Sequence, residues 1–287
     1  MVSLRANAIA TRLIALQRLR RCRGGISLAL ALCFSLHAYA WDDVDGPAPG
    51  EPEPIGSYAA GCVIGAVRLP DDGAGFLAVR PERNRHYAHP SLIRFIETLA
   101  RQTDEAGLGL LPIGDMSQPR GGPMSSDHAS HQVGLDVDIF FRLDLPRLPL
   151  GERGEDLELP SLVDYELRRL TEHFGEAHIE LLQLAASAPN VERIFVSPLI
   201  KKTMCEQPWQ DRGFLGKLRP WYGHDDHMHV RLDCPPASPD CIPQAPPPPG
   251  DGCGSELASW LENRLIPSAG GGSRSTPDLP MRCDTLR

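Results

Sequence analysis

The sequence predicts an α+β fold, in which a small sheet is flanked by helices and connected by many loops. Two stretches repeat apolar residues at helical spacing, and others alternate apolar with polar residues as half-buried strands do. The 28 Pro and 27 Gly of the 287-residue chain favour turns and loops. A hydrophobic content of 41% is nevertheless too high for a disordered protein, so we expect the chain to fold around an apolar core.

The charge balance limits the class of partner. The formal net charge is −8 at pH 7, whereas a general nucleic-acid binder needs a basic surface to neutralise phosphates. We therefore expect no nucleic-acid partner.

Residues 1–40 have the order of a secretory signal. Six arginines precede an apolar run at 26–36, and residues 38–40 read Ala-Tyr-Ala, a small-x-small cleavage site. The apolar run is too short to span a bilayer, which takes about 20 residues, although an uncleaved membrane anchor is the alternative. We expect a signal peptide, and an exported protein with no stable membrane insertion after cleavage.

Six cysteines follow this signal, and an even number indicates three disulfides formed in an oxidising compartment. Spacing alone does not choose among the possible pairings. The chain has no C-x-x-C motif, so neither a thioredoxin-like site nor a zinc ribbon is indicated. The six are Cys62, Cys205, Cys234, Cys241, Cys253 and Cys283.

Composition divides the rest of the chain. Residues 41–56 are rich in Pro, Gly and acidic residues and are expected to form a flexible leader. A single domain is expected at 57–287, with its ordered part beginning near Gly61. Within it, the Pro-rich segment 235–250 should lie extended on the surface, because proline can neither continue a helix nor pair inside a sheet. An extended tail is expected at 266–287.

Apolar periodicity predicts the main helices. One helix is predicted to begin at Pro90 and to stop near Gly107. A second is predicted at 176–189, followed by a strand at 193–196, and a brief helix is predicted at 256–265.

The first candidate functional segment is a strand with carboxylates on one face. Residues 133–140 alternate, which places Asp136 and Asp138 on one face and apolar side chains on the other. His131 lies in the turn just before this strand, so its imidazole can fold back over Asp138. Asp136 either orients a histidine or forms a plain salt bridge to an arginine.

The second candidate segment is a strand with two histidines on one face. His227 and His229 are two residues apart, so both point the same way. If the two strands are neighbours, imidazole and carboxylate groups meet in the N/N/O combination of catalytic zinc. A hydrogen-bonded His–Asp pair without metal is the alternative. Trp221 and Tyr222, just upstream, either line a substrate cleft or belong to the core.

These motifs resemble two nested groups of proteins. His131 and Asp138, in H-x-x-G-x-x-x-D, with H-x-H far downstream, resemble the lysostaphin, D-Ala-D-Ala peptidase and hedgehog group of zinc proteins, although Ala129 stands where many of them have serine. The narrower likeness is to the penicillin-insensitive murein endopeptidases, from about Ile55 to Leu265. It rests on GDM (114–116), HASHQ-x-GLDVDIF (128–140), RIFV-x-P-x-IK (193–201), RPW (219–221), H-x-x-HMHVRL (224–232) and GDGCG-x-EL (250–257).

The resemblance implies a small antiparallel sheet that carries a zinc site, and it implies roles for the site residues. The implied zinc ligands are His131, Asp138 and His229. His227 would be the catalytic histidine beside the metal, His224 a further active-site histidine, and His128 an additional ligand in some states. Some relatives hold a second metal through an Asp and a His three residues later. Here Asp164 stands at that place, but Leu167 replaces the histidine.

The likeness also bears on cysteine pairing. Cys234 and Cys241 bracket a Pro-rich turn, so a bond between them would close a small loop directly after the histidine-bearing strand. The cysteine spacing, which the family shares, supports the other two bonds. The implied disulfides are Cys62–Cys283, Cys205–Cys253 and Cys234–Cys241.

The implied activity is hydrolysis of peptide cross-links in peptidoglycan, at the D-alanyl to meso-diaminopimelyl bond, in the periplasm of a Gram-negative cell. The sequence has no H-E-x-x-H motif, so the helical Glu base of other zinc peptidases is missing. His227 is then the candidate to take a proton from water or to stabilise the oxyanion. No serine and lysine form an S-x-x-K motif, which leaves β-lactams without the usual serine target.

Two alternatives belong to other functional classes. A D-Ala-D-Ala carboxypeptidase or dipeptidase commonly has a Glu shortly before the last ligand histidine, whereas residues 224–227 here read His-Asp-Asp-His. A non-catalytic cell-wall binding module would use zinc only as a structural staple, as hedgehog relatives do. The presence of His227 argues against that module.

Overall fold

At the centre of the fold is a mixed sheet of seven strands. The computed structural model describes residues 41–125, 128–263, 265 and 278–287. The expected signal peptide and most of the expected tail therefore lie outside the described residues. The strands are β1 (Glu53–Ser57), β2 (Ala60–Ile64), β3 (Val67–Arg68), β4 (Asp72–Gly73), β5 (Phe76–Ala78), β6 (Tyr87–Ala88), β7 (Leu111–Ile113), β8 (Asp136–Phe140), β9 (Val163–Asp164), β10 (Arg169–Leu170), β11 (Val191–Val196), β12 (Leu218–Pro220) and β13 (His227–Leu232). The helices are α1 (Pro90–Glu105), α2 (Glu176–Ser187), α3 (Pro198–Glu206), α4 (Ser255–Asn263) and α5 (Met281–Asp284).

The strand order of the central sheet is β12-β11-β13-β8-β7-β5-β4. Its middle, from β11 through β13 and β8 to β7, is antiparallel. Parallel pairs occur towards both edges, between β12 and β11 and between β7 and β5. The predicted α+β class is confirmed, and the antiparallel part of the sheet includes both strands that carry candidate site residues.

The two faces of β8 have different tasks. Val137 and Ile139 are fully buried and belong to one apolar cluster with Leu92 and Leu99 of α1. Residues of α2 lie in the same cluster, namely Leu181, Leu182 and Ala185. Because successive strand residues alternate in direction, this packing leaves Asp136 and Asp138 on the opposite face.

The predicted helices are present, and their ends have recognisable causes. α1 begins at Pro90, where the missing N–H costs nothing, and the imidazole Nδ1 of His89 accepts a hydrogen bond from the Ser91 backbone N–H at 3.2 Å. It ends before Gly107, whose φ of 69° reverses the chain. The predicted helices at 176–189 and 256–265 correspond to α2 and α4, and the predicted strand at 193–196 corresponds to β11.

The first strand begins at Glu53, ahead of the position near Gly61 that composition predicted, and a 3-10 turn at Trp41–Asp43 precedes it. Proline does not prevent this, since β1 forms a two-stranded sheet with β2, its other backbone pairing is an isolated bridge from Gly56 to Cys241, and edge strands tolerate proline. Within the expected leader, Trp41 is only 7% exposed. A Cβ atom on Gly122 would lie 2.1 Å from the Trp41 ring, so glycine is needed there for packing of the chain on itself.

Three disulfides connect distant parts of the chain, and they are the pairs that the family resemblance implied. Cys62–Cys283 joins β2 to α5, Cys205–Cys253 joins α3 to the segment before α4, and Cys234–Cys241 closes a short loop after β13. In the part of the chain that the structure covers, no helix combines the length and the apolar composition required to cross a membrane.

The disulfides should contribute unequally to stability. Replacing Cys62 and Cys283 by Ala should lower the free energy of unfolding by about 5 kcal/mol, because this bond closes a loop of 221 residues. The matched control replaces Cys234 and Cys241 by Ala and should cost only about 2 kcal/mol, since that loop spans 7 residues. Urea denaturation under non-reducing conditions measures both. Equal losses would contradict the chain-entropy account.

Candidate metal centre

The candidate site lies where β8 and β13 run side by side. The two strands are antiparallel neighbours, with Asp138 opposite His229 and Asp136 opposite Arg231. The condition that the sequence left open, that these strands should be adjacent, is therefore met.

Three side-chain atoms from these segments form a nearly equilateral triangle. His131 Nε2 and His229 Nδ1 each lie 3.3 Å from Asp138 Oδ1, and the two nitrogens are 3.1 Å apart. Ligand atoms about 2.0–2.1 Å from a tetrahedral zinc ion are about 3.3 Å apart, so one ion could contact all three. All three residues are at most 4% exposed.

The donor set fits a cation on a second ground. Asp138 Oδ1 is buried and accepts no hydrogen bond from the described residues. A buried carboxylate oxygen without a partner is costly unless a cation or a donor reaches it. Burial raises the pKa of Asp138, but the neighbouring imidazoles of His131 and His227 outweigh burial and hold this pKa well below its ordinary value.

His128 extends the same cluster. With His131 and Asp138 it forms a group whose ligand atoms are close enough to hold a metal ion. Its Nε2 lies 3.6 Å from Asp138 Oδ2 and 2.9 Å from Asp115 Oδ2. The contact with Asp115 is the shorter one, so in this arrangement His128 is held mainly by that carboxylate.

His131 adopts an unusual backbone conformation. Its φ is 66°, in the left-handed region that non-glycine residues rarely occupy. The backbone N–H of His131 donates to Asp136 Oδ2 at 3.0 Å, which helps to hold this turn in place. Strain of this kind concentrates at functional sites, where surrounding contacts maintain it.

Asp136 combines the two roles that the sequence left open. It forms two hydrogen bonds with the Arg231 guanidinium, at 2.7 and 3.1 Å, and its Oδ1 lies 3.2 Å from His229 Nε2. Burial raises the pKa of Asp136, yet Arg231 and His229 outweigh burial and keep this pKa below its ordinary range. The carboxylate therefore stays ionised and can orient His229, while its bond to the backbone of His131 positions the other imidazole.

His227 lies beside the triangle with one nitrogen already engaged. Its Nδ1 is 2.5 Å from Asp226 Oδ1, and its Nε2 is 3.7 Å from Asp138 Oδ1. Burial lowers the pKa of His227, but the negative charges of Asp138 and Asp226 outweigh burial and raise the pKa to about 9. Because Asp226 engages Nδ1, Nε2 is the ring nitrogen that faces Asp138.

The pKa of His224 is shifted in the opposite direction from that of His227. Burial, reinforced by the imidazoles of His227 and His229, lowers the pKa of His224 to about 3. It is therefore neutral near pH 7, and its Nδ1–H can donate to the Tyr222 carbonyl at 2.9 Å. Nε2 then remains as a hydrogen-bond acceptor.

Two cavities adjoin the candidate centre. The larger, of about 690 Å³, is lined on its aromatic side by Trp221, Tyr222 and Trp260. The smaller, of about 240 Å³, is lined by Arg80, Arg83, Asp115, Asp138, Phe140 and Asp226, as well as the histidines it shares with the first. His128 and His227 border both cavities. Trp221 and Tyr222 therefore line a cleft, one of the two placements that the sequence left open.

Asp164 is not part of this cluster. It belongs to β9, and its Oδ1 accepts a hydrogen bond from the Leu167 backbone N–H at 2.9 Å. It borders neither cavity described above. The group of His128, His131 and Asp138, whose ligand atoms are close enough to hold a metal ion, does not include Asp164.

The sequence did not assign roles to several residues that complete the site. Asp226 and Arg231 could have been found, because Asp226 directly precedes His227 and Arg231 follows the same alternation as the two histidines of β13. Asp115 lies in the GDM motif of the family likeness, but no spacing in the sequence predicts its contacts with His128, Arg83 and Arg85. The contact with His128 depends on how the chain folds between β7 and β8.

Comparison with known proteins agrees with this geometry. Residues 54–287 match the sequence model of a peptidase family described as penicillin-insensitive murein endopeptidase. Proteins of that name from three organisms are similar over nearly the whole chain. The Yersinia enterocolitica protein is 42% identical over 263 residues, 91% of this chain and 95% of the relative. The Haemophilus influenzae protein is 42% identical over 267 residues, which are 88% of this chain and 91% of the relative. The Yersinia pestis protein is 44% identical over 250 residues, which are 87% of this chain and 90% of the relative.

The triangle of donor atoms predicts which variants bind metal. His131→Ala, Asp138→Ala and His229→Ala should each bind less metal than the unmodified protein, because each removes one corner of the triangle. His227→Ala is the matched control and should bind metal as the unmodified protein does, since its Nε2 lies further from Asp138 Oδ1. Metal analysis after dialysis, with circular dichroism to verify folding, measures this. A metal-free His227→Ala protein would show that the two histidines of β13 have exchanged roles.

Proposed function

Because the chain belongs to the penicillin-insensitive murein endopeptidase family, we propose that it hydrolyses peptide cross-links of peptidoglycan by means of a zinc ion. The observation that carries this proposal is the triangle of His131 Nε2, Asp138 Oδ1 and His229 Nδ1. Two imidazoles and one carboxylate are a usual protein donor set for catalytic zinc, which keeps its fourth position for water or substrate.

The proposed ion would be held by His131, Asp138 and His229, with His128 available as an additional donor. When bound, zinc lowers the pKa of water from about 16 towards about 7 and polarises the scissile carbonyl. The residues around these ligands serve to maintain their geometry. Asp136 accepts a hydrogen bond from the backbone N–H of His131 and lies beside His229 Nε2, which helps to position the two histidines.

His227 is the proposed acid–base residue. Since Asp226 engages Nδ1, Nε2 is left to exchange a proton with water or with the leaving nitrogen. The same nitrogen can donate a hydrogen bond to the oxyanion that develops on the carbonyl. This arrangement replaces the helical Glu of other zinc peptidases, which this sequence lacks. His224, which is neutral, presents only an acceptor nitrogen to the larger cavity.

The two cavities that His128 and His227 border support an endopeptidase rather than a carboxypeptidase. A cross-link continues on both sides of its scissile bond, and two cavities that share these histidines offer space for both continuations. The proposed bond is the D-alanyl to meso-diaminopimelyl amide, and the proposed location is the periplasm, reached through the N-terminal signal peptide. Both follow from the family resemblance and from the word murein in the names of the relatives.

Zinc dependence can be tested on purified protein with cross-linked muropeptide dimers. Chelation should abolish cleavage of the dimer, and added zinc should restore it. Benzylpenicillin should have no effect, because the sequence has no S-x-x-K serine to acylate. Mass spectrometry of the products identifies the cleaved bond. Activity that survives thorough metal removal would refute the mechanism, and release of terminal D-Ala alone would favour the carboxypeptidase alternative.

The role of His227 predicts a separate kinetic result. His227→Ala should reduce turnover of the dimer by a factor of about 100 or more, the usual scale for removing an acid–base group. His173→Ala is a suitable control, because His173 is exposed and borders neither cavity. Steady-state kinetics on zinc-loaded proteins compares the two. A His227→Ala enzyme with nearly normal turnover would exclude this role.

A further inference from the structure

The smaller cavity carries two arginines that the reaction described above does not use. Arg80 and Arg83 line it together with Asp138 and His227, which belong to the proposed catalytic centre. We propose that Arg80, supported by Arg83, binds a free carboxylate of the substrate on the amine side of the scissile bond. This inference rests on the proposed function and adds a specificity determinant to it.

Arg80 has unused hydrogen-bonding capacity. Its Nε is buried without a hydrogen-bond partner among the described residues, and the nearest carboxylate oxygen, Glu155 Oε2, is 3.5 Å away. The guanidinium lies over the Phe140 ring at 4.9 Å from the ring centroid. A planar cation that is fixed by stacking loses little entropy when it binds a carboxylate, and its fork of N–H groups matches the two oxygens.

The backbone around this arginine is held in a strained conformation. Arg80 and Asn84 have φ values of 56° and 53°, and they flank a single 3-10 turn at Pro81–Arg83. The Arg80 backbone N–H donates to the Arg153 carbonyl at 2.6 Å, and Asn84 Nδ2 donates to the Val44 carbonyl at 3.2 Å. Such strain persists only where surrounding contacts hold the backbone in place. Here it points the Arg80–Arg83 segment into the cavity.

Charged groups of both signs line this cavity, and its two arginines are Arg80 and Arg83. Arg83 binds both Asp115 and Glu155, and Arg85 binds Asp115. Asp115 also contacts His128. Arg83 contributes charge while bound to its partners, and Arg80 is the residue with a weakly engaged guanidinium.

The chemistry of the proposed cross-link indicates which substrate group belongs here. In a D-alanyl to meso-diaminopimelyl bond, the carbon attached to the scissile nitrogen carries a free carboxylate. The alanyl carbon on the carbonyl side carries a methyl group and an amide nitrogen, neither of which is charged. A cation close to the catalytic centre can therefore recognise only the amine side. Since Asp138 and His227 line the same cavity as Arg80, this cavity would take the leaving amino acid, and the larger cavity would take the alanyl side.

A pair of matched substrates tests the proposal. One is a cross-linked dimer with the free carboxylate next to the scissile nitrogen, and the other is the same dimer with that carboxylate converted to a primary amide. The zinc-loaded wild-type enzyme should have a kcat/KM about tenfold or more higher on the acid, the scale of a charge-assisted hydrogen bond. In Arg80→Gln this ratio should fall to about one, and Arg80→Lys should keep part of it.

The control is Arg101→Gln, which removes an arginine that pairs with Glu105 on the exposed side of α1. It should keep the wild-type ratio. Cleavage of both dimers at equal rates by the wild-type enzyme would overturn the carboxylate site while leaving the proposed function intact. An Arg80→Gln enzyme that keeps the full ratio would also overturn it. A wild-type enzyme that cleaves neither dimer would refute the proposed function, and the carboxylate site with it.

Discussion

The buried ion pair between Asp136 and Arg231 is the interaction on which the candidate site depends. Asp136 is fully buried and Arg231 is 6% exposed. Such a pair costs desolvation energy that is recovered only when further hydrogen bonds satisfy its remaining atoms. Here Asp136 Oδ2 also accepts a hydrogen bond from the His131 backbone N–H, Asp136 Oδ1 lies 3.2 Å from His229 Nε2, and the Arg231 guanidinium lies 4.2 Å from the Tyr58 ring centroid. The buried pair thus contacts both the turn that carries His131 and the side chain of His229, so the stability of the sheet and the geometry of the site are coupled.

Strand alternation explains how one short segment serves both the core and the site. Along β8, Val137 and Ile139 pack into the apolar cluster while Asp136 and Asp138 point the other way. A slip of one residue in the pairing of β8 with β13 would turn the carboxylates into the core. The apolar face therefore specifies the register, and that register sets Asp138 opposite His229. His131 reaches the same point from outside the strand, which requires its left-handed turn.

The residue pattern within each strand was enough to predict which side chains of β8 and β13 share a face. It was not enough to predict which residues from other segments surround them. Alternation placed Asp136 and Asp138 together, and His227 with His229, because these relations depend only on spacing within one strand. That the two strands pair, and in which register, depends on contacts about 90 residues apart in the sequence. Asp115 and Arg80 come from loops whose course no periodicity records. Regular structure at 53–57 was also not predicted, since its proline-rich composition is typical of a linker yet is compatible with a strand in a two-stranded sheet.

The distribution of charge distinguishes Asp138 from the other buried carboxylates of the site. Asp115 is paired with Arg83 and Arg85, and Asp136 is paired with Arg231. Among the residues that the structure describes, the ion pairs of Asp138 are formed only with histidines, and its Oδ1 accepts no hydrogen bond. Neutral imidazoles do not compensate a buried negative charge, so either a proton on a histidine or a cation must do so. The raised pKa of His227 reflects the first kind of compensation, and a divalent cation at the triangle would provide the second by direct contact.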